Sequence, residues 1–366
     1  MAKKRVSIRI SPDTAKTGML TVMSVLVFGV MLESAARSAI IQSLVPIQAL
    51  GTNHIQFEYK LQQLDNLIER EGAIDCFFLG NSSVRRDIDP ALFNQSFKDA
   101  TGEEIRCFNF GLSASNLPSN IYLAQLLISQ YHPKVLIFGV NYGDFSKYVI
   151  DHPKWRFSEN PWIRYKLGTH SIAGWLTEHS FAFRLLLLVS YGADDGLTFQ
   201  STSERITKEV IEWTPYGYGY TNDKLGNIEK LTLDEKDKYF TRLFGQLQVS
   251  SKISSLISEL VELKINNGIQ IIIFELPYHD SLRSMFSDED SYKDKENDYL
   301  RYTLKIQNII ENQMIPQQIS FIPTSQLEII PGEGWEDPIH LNYSGAKVFS
   351  TWLGEHIASL SFINDN

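Results

Sequence analysis

Short, largely apolar runs alternate along the chain with longer segments in which apolar residues recur at helical spacing. Runs of this kind, bounded by polar or glycine-containing turns, are typical of strands that are buried on both faces. They predict strands at 74–79, 105–110, 135–139, 269–274 and 319–322. Strands that alternate with helices indicate a parallel sheet with both faces covered, because each crossover between parallel strands places a helix on the sheet.

The intervening segments carry the start and stop signals of helices. Asp89 precedes Pro90, which pairs an N-cap side chain with a proline in the first turn. The predicted helices cover 57–67, 90–100, 120–130, 233–266, a segment that ends near 312, and 343–360. The fold class expected from this order is α/β, with a flavodoxin-like three-layer α/β/α arrangement around a central parallel sheet of about five strands.

The alternation of strands and helices breaks over 144–232, where no further strand pattern is evident. This stretch holds four tryptophans, and tyrosine alternates with glycine over 216–220. We interpret the stretch as an aromatic-rich helical insertion placed over the cleft of the sheet. Its aromatic side chains suit stacking on sugar rings, but a small core within the insertion is the more ordinary use of such residues.

A basic and then apolar N-terminus predicts a membrane anchor. Lysines and arginines precede residue 17, and 17–32 carries no charged side chain. Because Lys and Arg flank membrane helices on the cytoplasmic side, we expect a cytoplasmic N-terminus and an extracytoplasmic main domain. A tilted helix that continues into 39–41 favours an uncleaved single-pass anchor over a signal peptide cut near Ser34. A buried helix of a soluble protein is disfavoured, because the run has no polar face.

These patterns divide the chain into three parts. Residues 1–41 are expected to form a cytoplasmic basic tail and a transmembrane helix in the cell membrane. Residues 42–72 are expected to form a connecting segment that is partly helical. The remainder, 73–366, is expected to form the α/β domain that carries the insertion at about 144–232.

The composition supports a packed domain and limits its partners. Apolar residues make up 43% of the chain and aromatic residues 12%, which favours a packed core over disorder. The formal net charge is −9, with no basic cluster beyond the N-terminus, so nucleic acid is excluded as the main partner. Cys76 and Cys107 each lie in an apolar run, which favours two buried free thiols, although export would also allow a disulfide bond between them.

Near the C-terminus, Asp337 precedes His340 by three residues at the start of a predicted helix. A carboxylate at this spacing can orient the imidazole and stabilise its protonated form, as in a Ser-His-Asp triad. The nucleophile of such a triad belongs on a tight turn after a core strand, and Ser82 follows the first predicted strand in this way. Taken alone, Ser82 is also explained as a helix cap, and Ser83 is a rival nucleophile.

The candidate residues follow successive strands of the predicted sheet. Ser82 follows the first strand, Gly111 the second, Asn141 the third, and the Asp337 and His340 pair follows the fifth. Ligands of open parallel sheets bind at the carboxyl ends of the strands. We therefore expect these residues to meet in one crevice, and this convergence carries more weight than any single short motif.

In this order, the residues resemble the SGNH (GDSL-like) hydrolase superfamily. The matching blocks are Gly80-Asn81-Ser82, Gly111, Gly139-Val140-Asn141 and Asp337-Pro338-Ile339-His340. Asn81 stands where the family usually has aspartate, and Tyr142 stands where the third block usually continues with aspartate. The first block and the residues after it look most like a membrane-anchored branch. That branch serves O-acetylation of bacterial exopolysaccharides and D-alanylation of teichoic acids.

The resemblance implies an acyl-enzyme mechanism. Ser82 attacks an ester carbonyl, His340 takes the serine proton, and Asp337 orients His340. The implied oxyanion donors are the backbone N–H groups of Ser82 and Gly111 and the side-chain amide of Asn141. A glycine at the second of these positions lets the backbone approach the substrate closely.

The function expected from this resemblance is that of a serine esterase or O-acyltransferase on acyl esters of a cell-envelope or exported polysaccharide. Arg85 and Tyr142 are candidates for substrate binding, although a solvated helix face is the plainer explanation of the arginine. The alternative is a non-catalytic SGNH-like domain that binds glycan or scaffolds a membrane-bound acyltransferase. We expect no cofactor and no metal, because the other histidines lack ligand spacing and no phosphate-binding glycine loop occurs.

Overall fold

Five parallel strands form the central sheet of this computed structural model, which describes residues 12–45, 47–193, 204, 213–219, 247–279, 293–317, 319–324 and 329–360. The strands are β1 (Cys76–Leu79), β2 (Cys107–Asn109), β3 (Val135–Val140), β4 (Gln270–Glu275) and β5 (Ser320–Ile322). All four neighbouring pairs are parallel, in the spatial order β2-β1-β3-β4-β5. The five predicted strands and their parallel pairing are therefore confirmed.

Helices surround this sheet and account for most of the remaining described residues. Before β3 they are α1 (Pro12–Ala36), α2 (Ala39–Leu44), α3 (Ile55–Glu71), α4 (Ser82–Asp87), α5 (Pro90–Thr101) and α6 (Leu117–Tyr131). After β3 they are α7 (Lys147–Asp151), α8 (Pro161–Lys166), α9 (Ile172–His179), α10 (Phe181–Ala193), α11 (Ile253–Asn267), α12 (Lys293–Ile309) and α13 (Tyr343–Ala358). The α/β class is confirmed by this arrangement.

Apolar side chains of the strands divide between two buried clusters, as the two-residue repeat of a strand requires. Phe77 and Leu79 of β1 join a cluster that includes buried residues of α3, α6 and α11. Phe78 joins a second cluster that includes Phe93 of α5 and Phe349 of α13. Both faces of β1 are thus buried, which explains why its sequence is apolar without alternation.

Cys76 and Cys107 form a disulfide bond between the first residues of β1 and β2. The two residues are direct partners in the parallel register of these strands, with their Cα atoms 4.5 Å apart. The expectation of two free thiols was wrong, because burial in apolar runs does not show that two cysteines lie opposite each other. Register between neighbouring strands decides this point, and a single sequence does not contain it.

The N-terminal helix α1 contains the one segment of the described chain that is long and apolar enough by itself to cross a membrane, Lys16–Ala36. Its large apolar side chains are exposed, from Met19 to Leu32. The helix ends at Ala36, and Ser38 caps the separate short helix α2, so the helix does not run unbroken into 39–41.

Helix α3 lies in the segment 42–72 that we expected to be a connector. Its residues Phe57, Leu61, Leu64 and Leu67 are buried in the larger apolar cluster, so this helix belongs to the packed domain.

The expected insertion over 144–232 is mainly helical up to residue 193, through α7 to α10, whereas 213–219 forms a turn closed by an antiparallel bridge between Trp213 and Gly219. Its parts at 194–203, 205–212 and 220–232 lie outside the described residues, as does the first part of the helix predicted at 233–266. The described remainder of that helix is α11.

Candidate active site

Ser82 is the first residue of α4, directly beyond the carboxyl end of β1. The turn between them depends on Gly80, which has φ +156° and where an added Cβ would collide with the side chain of Val84. Asn81 then caps the helix, because its side chain accepts a hydrogen bond of 2.9 Å from the N–H of Ser83. The capping role belongs to Asn81, which leaves the Ser82 hydroxyl free to point elsewhere.

His340 and Asp337 lie on a small antiparallel hairpin formed by β6 (Trp335–Asp337) and β7 (His340–Leu341). One carboxylate oxygen of Asp337 accepts hydrogen bonds from the backbone N–H groups of Ile339, at 2.8 Å, and His340, at 2.9 Å. The other oxygen lies 2.7 Å from Nδ1 of His340. The three-residue spacing therefore lets one carboxylate fix both the turn and the imidazole.

The Ser82 hydroxyl and the His340 ring meet although 258 residues separate them in the chain. Oγ of Ser82 lies 2.8 Å from Nε2 of His340. Since Asp337 accepts a hydrogen bond at Nδ1, the neutral imidazole carries its proton on Nδ1 and presents a lone pair at Nε2. Ser82 can donate its proton to this lone pair, which is the arrangement that a general base requires.

The Asp337 carboxylate is held in its charged form. Burial alone raises the pKa of Asp337, but the hydrogen bond and charge of His340, together with the two backbone N–H groups, outweigh this effect. The net result is a pKa below the usual value for aspartate. The carboxylate can therefore stabilise positive charge on His340 when the ring gains a proton.

Helix α4 clamps the hairpin that carries the histidine. Ser83 Oγ donates to the carbonyl of Ile339 at 2.9 Å, and Arg86 forms an ion pair with Glu336. Asp87, which is fully buried, accepts a hydrogen bond of 2.9 Å from the N–H of Leu341. These contacts join the helix of Ser82 to the strand of His340, and they explain how two distant segments keep hydrogen-bonding distance.

Ser83 and Asp87 each have a defined structural role in this clamp. Ser83 is buried and its hydroxyl is bonded to a backbone carbonyl, whereas the Ser82 hydroxyl faces the imidazole. The structure therefore favours Ser82 over Ser83 as the nucleophile. Burial raises the pKa of Asp87 well above its usual value, and the nearby charge of Asp337 adds to the effect.

Asn141 follows β3 and faces the same crevice. Its side-chain oxygen accepts a hydrogen bond of 3.1 Å from the N–H of Asp144, and Asp144 accepts one of 2.9 Å from the N–H of Asn141. This reciprocal cap engages the amide oxygen and leaves Nδ2 as the donor of the side chain. Burial raises the pKa of Asp144 to about 7, although the bond from Asn141 works in the opposite direction.

Gly111 does not occupy the place that we expected for it. Its N–H donates to the side-chain oxygen of the buried Asn109 at 2.9 Å, so this N–H is already engaged. A Cβ at this position would lie 2.5 Å from the backbone nitrogen of Arg85. The glycine is thus required by the close approach of α4 and not by a substrate, which corrects its assignment to the oxyanion hole.

Ala114 occupies the cavity wall in the loop after β2, three residues beyond Gly111. It has φ +59°, which few residues other than glycine adopt. No acceptor for its N–H is found among the residues that the structure describes. We had not singled out Ala114, because alanine carries no sequence signal for a left-handed backbone.

A cavity of about 380 Å³ opens at Ser82. Its wall includes Ala114 and Asn116 from the loop after β2, Asn141 after β3, and Tyr148 and Lys154 from the start of the insertion. The insertion therefore contributes side chains to this crevice, as expected for a segment placed over the cleft.

Arg85 and Tyr142, which we had considered for substrate binding, are not among the residues that form the cavity wall. The guanidinium of Arg85 lies 5.8 Å from the ring centre of Trp213. Tyr142 is buried in the larger apolar cluster, and its carbonyl accepts a hydrogen bond of 2.5 Å from the Tyr302 hydroxyl. Neither residue therefore lines the cavity at Ser82.

No group of three His, Cys, Asp or Glu side chains within the described ranges is placed to hold a metal ion. Comparison with known proteins finds no family model and no curated protein that match this chain. The function must therefore be inferred from the geometry around Ser82.

Proposed function

We propose that this protein is an SGNH-type serine esterase or O-acyltransferase that acts on acyl esters of a cell-envelope or exported polysaccharide. The observation that carries this proposal is the contact between Ser82 Oγ and His340 Nε2 at 2.8 Å, with Asp337 at 2.7 Å from Nδ1 of the same ring. A serine, a base and an orienting carboxylate in hydrogen-bonding series form the apparatus of acyl transfer.

The reaction begins when Ser82 Oγ attacks the ester carbonyl while its proton passes to Nε2 of His340. The carbonyl oxygen becomes an oxyanion, and collapse of this intermediate expels the alcohol, which takes the proton back from His340. Water or a sugar hydroxyl then attacks the acyl-serine, again losing its proton to His340. Release of the acid or the new ester restores the Ser82 hydroxyl.

The donors available to the oxyanion are the N–H of Ser82, the N–H of Ala114 and Nδ2 of Asn141. The Ser82 N–H lies in the first turn of α4, where backbone N–H groups lack intrahelical acceptors. Ala114 and Asn141 both line the cavity that opens at Ser82. Donors fixed in advance in this way stabilise charge without reorganisation during the reaction.

The family proposal gains support from the fold. The strand order β2-β1-β3-β4-β5 is the order of a flavodoxin-like sheet, and apolar clusters occur on both of its faces. We propose a three-layer α/β/α arrangement of this type. Ser82, Asn141 and the histidine hairpin then lie at the carboxyl edge of the sheet, where such folds bind ligands.

We also propose that α1 anchors the protein in the cell membrane, with its N-terminus in the cytoplasm and the catalytic domain outside. Support comes from the apolar segment Lys16–Ala36 and from the basic residues that precede it. The disulfide bond between Cys76 and Cys107 fits an oxidising compartment, since such bonds are rare in the cytosol.

The proposed activity is tested by incubating the full-length protein in detergent with p-nitrophenyl acetate, with and without an oligosaccharide acceptor. We expect acetate release that depends on Ser82. An acetylated oligosaccharide among the products would identify a transferase, and free acetate alone would identify an esterase. No turnover, together with no labelling of the protein by a fluorophosphonate, would instead favour a glycan-binding or scaffolding partner of a membrane-bound acyltransferase.

Asn141→Ala is expected to lower kcat for ester hydrolysis by about 10²- to 10³-fold, because the variant lacks one oxyanion donor. The change in KM should be small, since the donor acts on charge that develops in the transition state. The measurement is steady-state hydrolysis of p-nitrophenyl acetate. A matched control is Asn116→Ala in the same cavity wall, and an equal loss of kcat in both variants would contradict a specific role for Asn141.

A further inference from the structure

Helices α9 and α10 carry exposed apolar side chains. Along the sequence these helices lie well apart from the proposed catalytic residues. In α9, Ile172 is 82% exposed and Trp175 is 50% exposed, and their spacing places them on one helix face. In α10, Leu186 and Val189 are exposed with the same spacing. We call these four side chains the α9–α10 apolar surface.

The two charged side chains of these helices, Glu178 and Arg184, are mostly buried and are hydrogen-bonded within the protein. Glu178 accepts a hydrogen bond from the Trp162 ring and pairs with Lys166 at 3.0 Å. Arg184 donates to the carbonyls of Thr177 and Glu178, and its side chain is only 14% exposed. Because both charges are satisfied internally, they do not oppose contact of the surrounding helix faces with an apolar environment.

The junction between α9 and α10 is fixed to the end of the apolar helix α1. The carboxylate of Glu33, in the last turns of α1, accepts hydrogen bonds from Ser180 Oγ at 2.8 Å and from the N–H of Phe181 at 3.0 Å. Arg37 donates to the carbonyl of His179 at 2.9 Å. A carboxylate at the first turn of α10 is also favourable for the helix dipole.

This attachment fixes the position of the start of α10 and the end of α9 along the axis of the apolar helix α1. Glu33 lies near the end of Lys16–Ala36, so the junction lies where that segment would leave a membrane. At the junction the chain bends by 104°. By length and composition, α9 and α10 together are apolar enough to form a broken membrane span or a re-entrant loop. Trp side chains concentrate at the boundary between lipid headgroups and acyl chains, which matches the position of Trp175.

We propose that α9 lies in the outer interface of the lipid bilayer beside α1, with Ile172 and Trp175 in contact with lipid. The inference rests on the proposed membrane anchor and adds a second contact with the bilayer. The surface suits a lipid interface because it continues from an exposed apolar helix, carries no unpaired charge among the described side chains of α9 and α10, and presents a tryptophan at the boundary. A helix anchored and resting on the bilayer would fix the orientation of the Ser82 cavity above it.

A site-specific spin label tests this placement, because the two native cysteines of the chain are joined in a disulfide and do not compete for the label. Three full-length variants are labelled, Ile172→Cys on α9, Val25→Cys on α1 and Ile265→Cys on α11. All three positions are exposed, at 82%, 65% and 69%, so the substitutions should leave the fold intact. Unchanged thermal unfolding of each variant checks this point.

The labelled proteins are reconstituted in phosphatidylcholine vesicles with a minor share of phosphatidylglycerol. Collision of the label with oxygen, which concentrates in lipid, is compared with collision with a water-soluble nickel chelate. We expect the label at 172 to resemble the label at 25, with high oxygen access and nickel access several-fold below that of the label at 265. The control label at 265 should show the reverse pattern.

Each other outcome overturns the placement of α9 in a distinguishable way. High nickel access for the label at 172, together with high oxygen access for the label at 25, would support α1 as a membrane anchor and show that α9 lies off the membrane. Water-like access at both positions would refute the anchor as well. Shielding of the label at 172 from both reagents would show that protein, such as a second copy of this chain, covers the surface.

Discussion

Ser82→Ala is expected to lower kcat for ester hydrolysis by about 10⁵- to 10⁶-fold, because the variant has no group that can form the acyl-enzyme. The remaining rate would come from substrate binding and the oxyanion donors alone. The measurement is steady-state hydrolysis of p-nitrophenyl acetate by the full-length protein in detergent, with kcat and KM determined separately. KM should change little, since the Ser82 hydroxyl contributes mainly to the chemical step.

Ser83→Ala is the matched control for this loss, because the two serines are neighbours in the same helix. The Ser83 hydroxyl donates to the Ile339 carbonyl, so its removal should cost no more than about one neutral hydrogen bond, or about tenfold in rate if hairpin placement suffers. A large loss of kcat in the Ser83 variant, together with an active Ser82 variant, would show that Ser83 is the nucleophile and that the assignment to Ser82 is wrong. Equal, small effects in both variants would contradict serine catalysis.

Asp337→Asn is expected to lower kcat by about 10⁴-fold, because it forces the wrong tautomer on His340. The backbone N–H groups of Ile339 and His340 both donate to one oxygen of Asp337, and they would hold the amide oxygen at the same place. The amide NH₂ would then face Nδ1 of the imidazole. A donor at that position needs an acceptor, so the ring proton moves to Nε2, where it blocks proton transfer from Ser82.

The Asp337→Asn variant distinguishes the effect of Asp337 on the orientation of the His340 ring from its effect on the stability of the protein. The amide preserves the hydrogen bonds of the turn, so thermal unfolding should change far less than kcat does. Asp337→Ala would remove the turn contacts as well and should lower both stability and activity. A near-normal kcat in the asparagine variant would show that Asp337 serves only the turn.

The lowered pKa of Asp337 also determines how its contribution to stability changes with pH. A carboxyl group whose folded-state pKa is depressed contributes stability above its ordinary pKa, and this contribution is lost as pH falls through the folded-state value. Because its folded-state pKa lies below the ordinary value for aspartate, Asp337 should remain charged down to about pH 4. A loss of activity above about pH 4 would then come from another group and should persist in the asparagine variant, measured on its remaining rate.

The central sheet could be predicted because its strands are buried on both faces. Residues such as Phe77 and Phe78 are both apolar although they face opposite sides of the sheet, which produces the continuous runs that mark parallel strands. The meeting of Ser82 and His340 followed from a general property of such sheets, whose carboxyl ends share one edge. These inferences needed only the order of the strands along the chain.

The remaining features depend on contacts that no local pattern encodes. Gly111 looked like a substrate-facing glycine, but the space it leaves is filled by the backbone of α4 near Arg85. Ala114 adopts a left-handed backbone because of the surrounding loop, although its side chain does not favour that conformation. Pairing of Cys76 with Cys107 depends on strand register, which two neighbouring apolar runs leave undetermined.

The clamp on the histidine hairpin is another feature that spacing alone could not reveal. Ser83 and Asp87 lie in α4 beside the nucleophile, yet their partners Ile339 and Leu341 belong to the far end of the chain. A polar residue in a short helix is usually solvated, so nothing in the sequence distinguishes these side chains from surface residues. The structure shows that they connect the two halves of the proposed site.

The central claim is that Ser82 is a nucleophile activated by His340, and the most direct test is covalent labelling with a fluorophosphonate. Full-length protein in detergent is treated with the probe, digested and analysed by mass spectrometry, beside Ser82→Ala, Ser83→Ala and His340→Ala variants. We expect the adduct on Ser82 in the wild type and in the Ser83 variant, and no adduct in the other two. An adduct on a different residue, or unchanged labelling after removal of the His340 ring, would contradict the proposed mechanism.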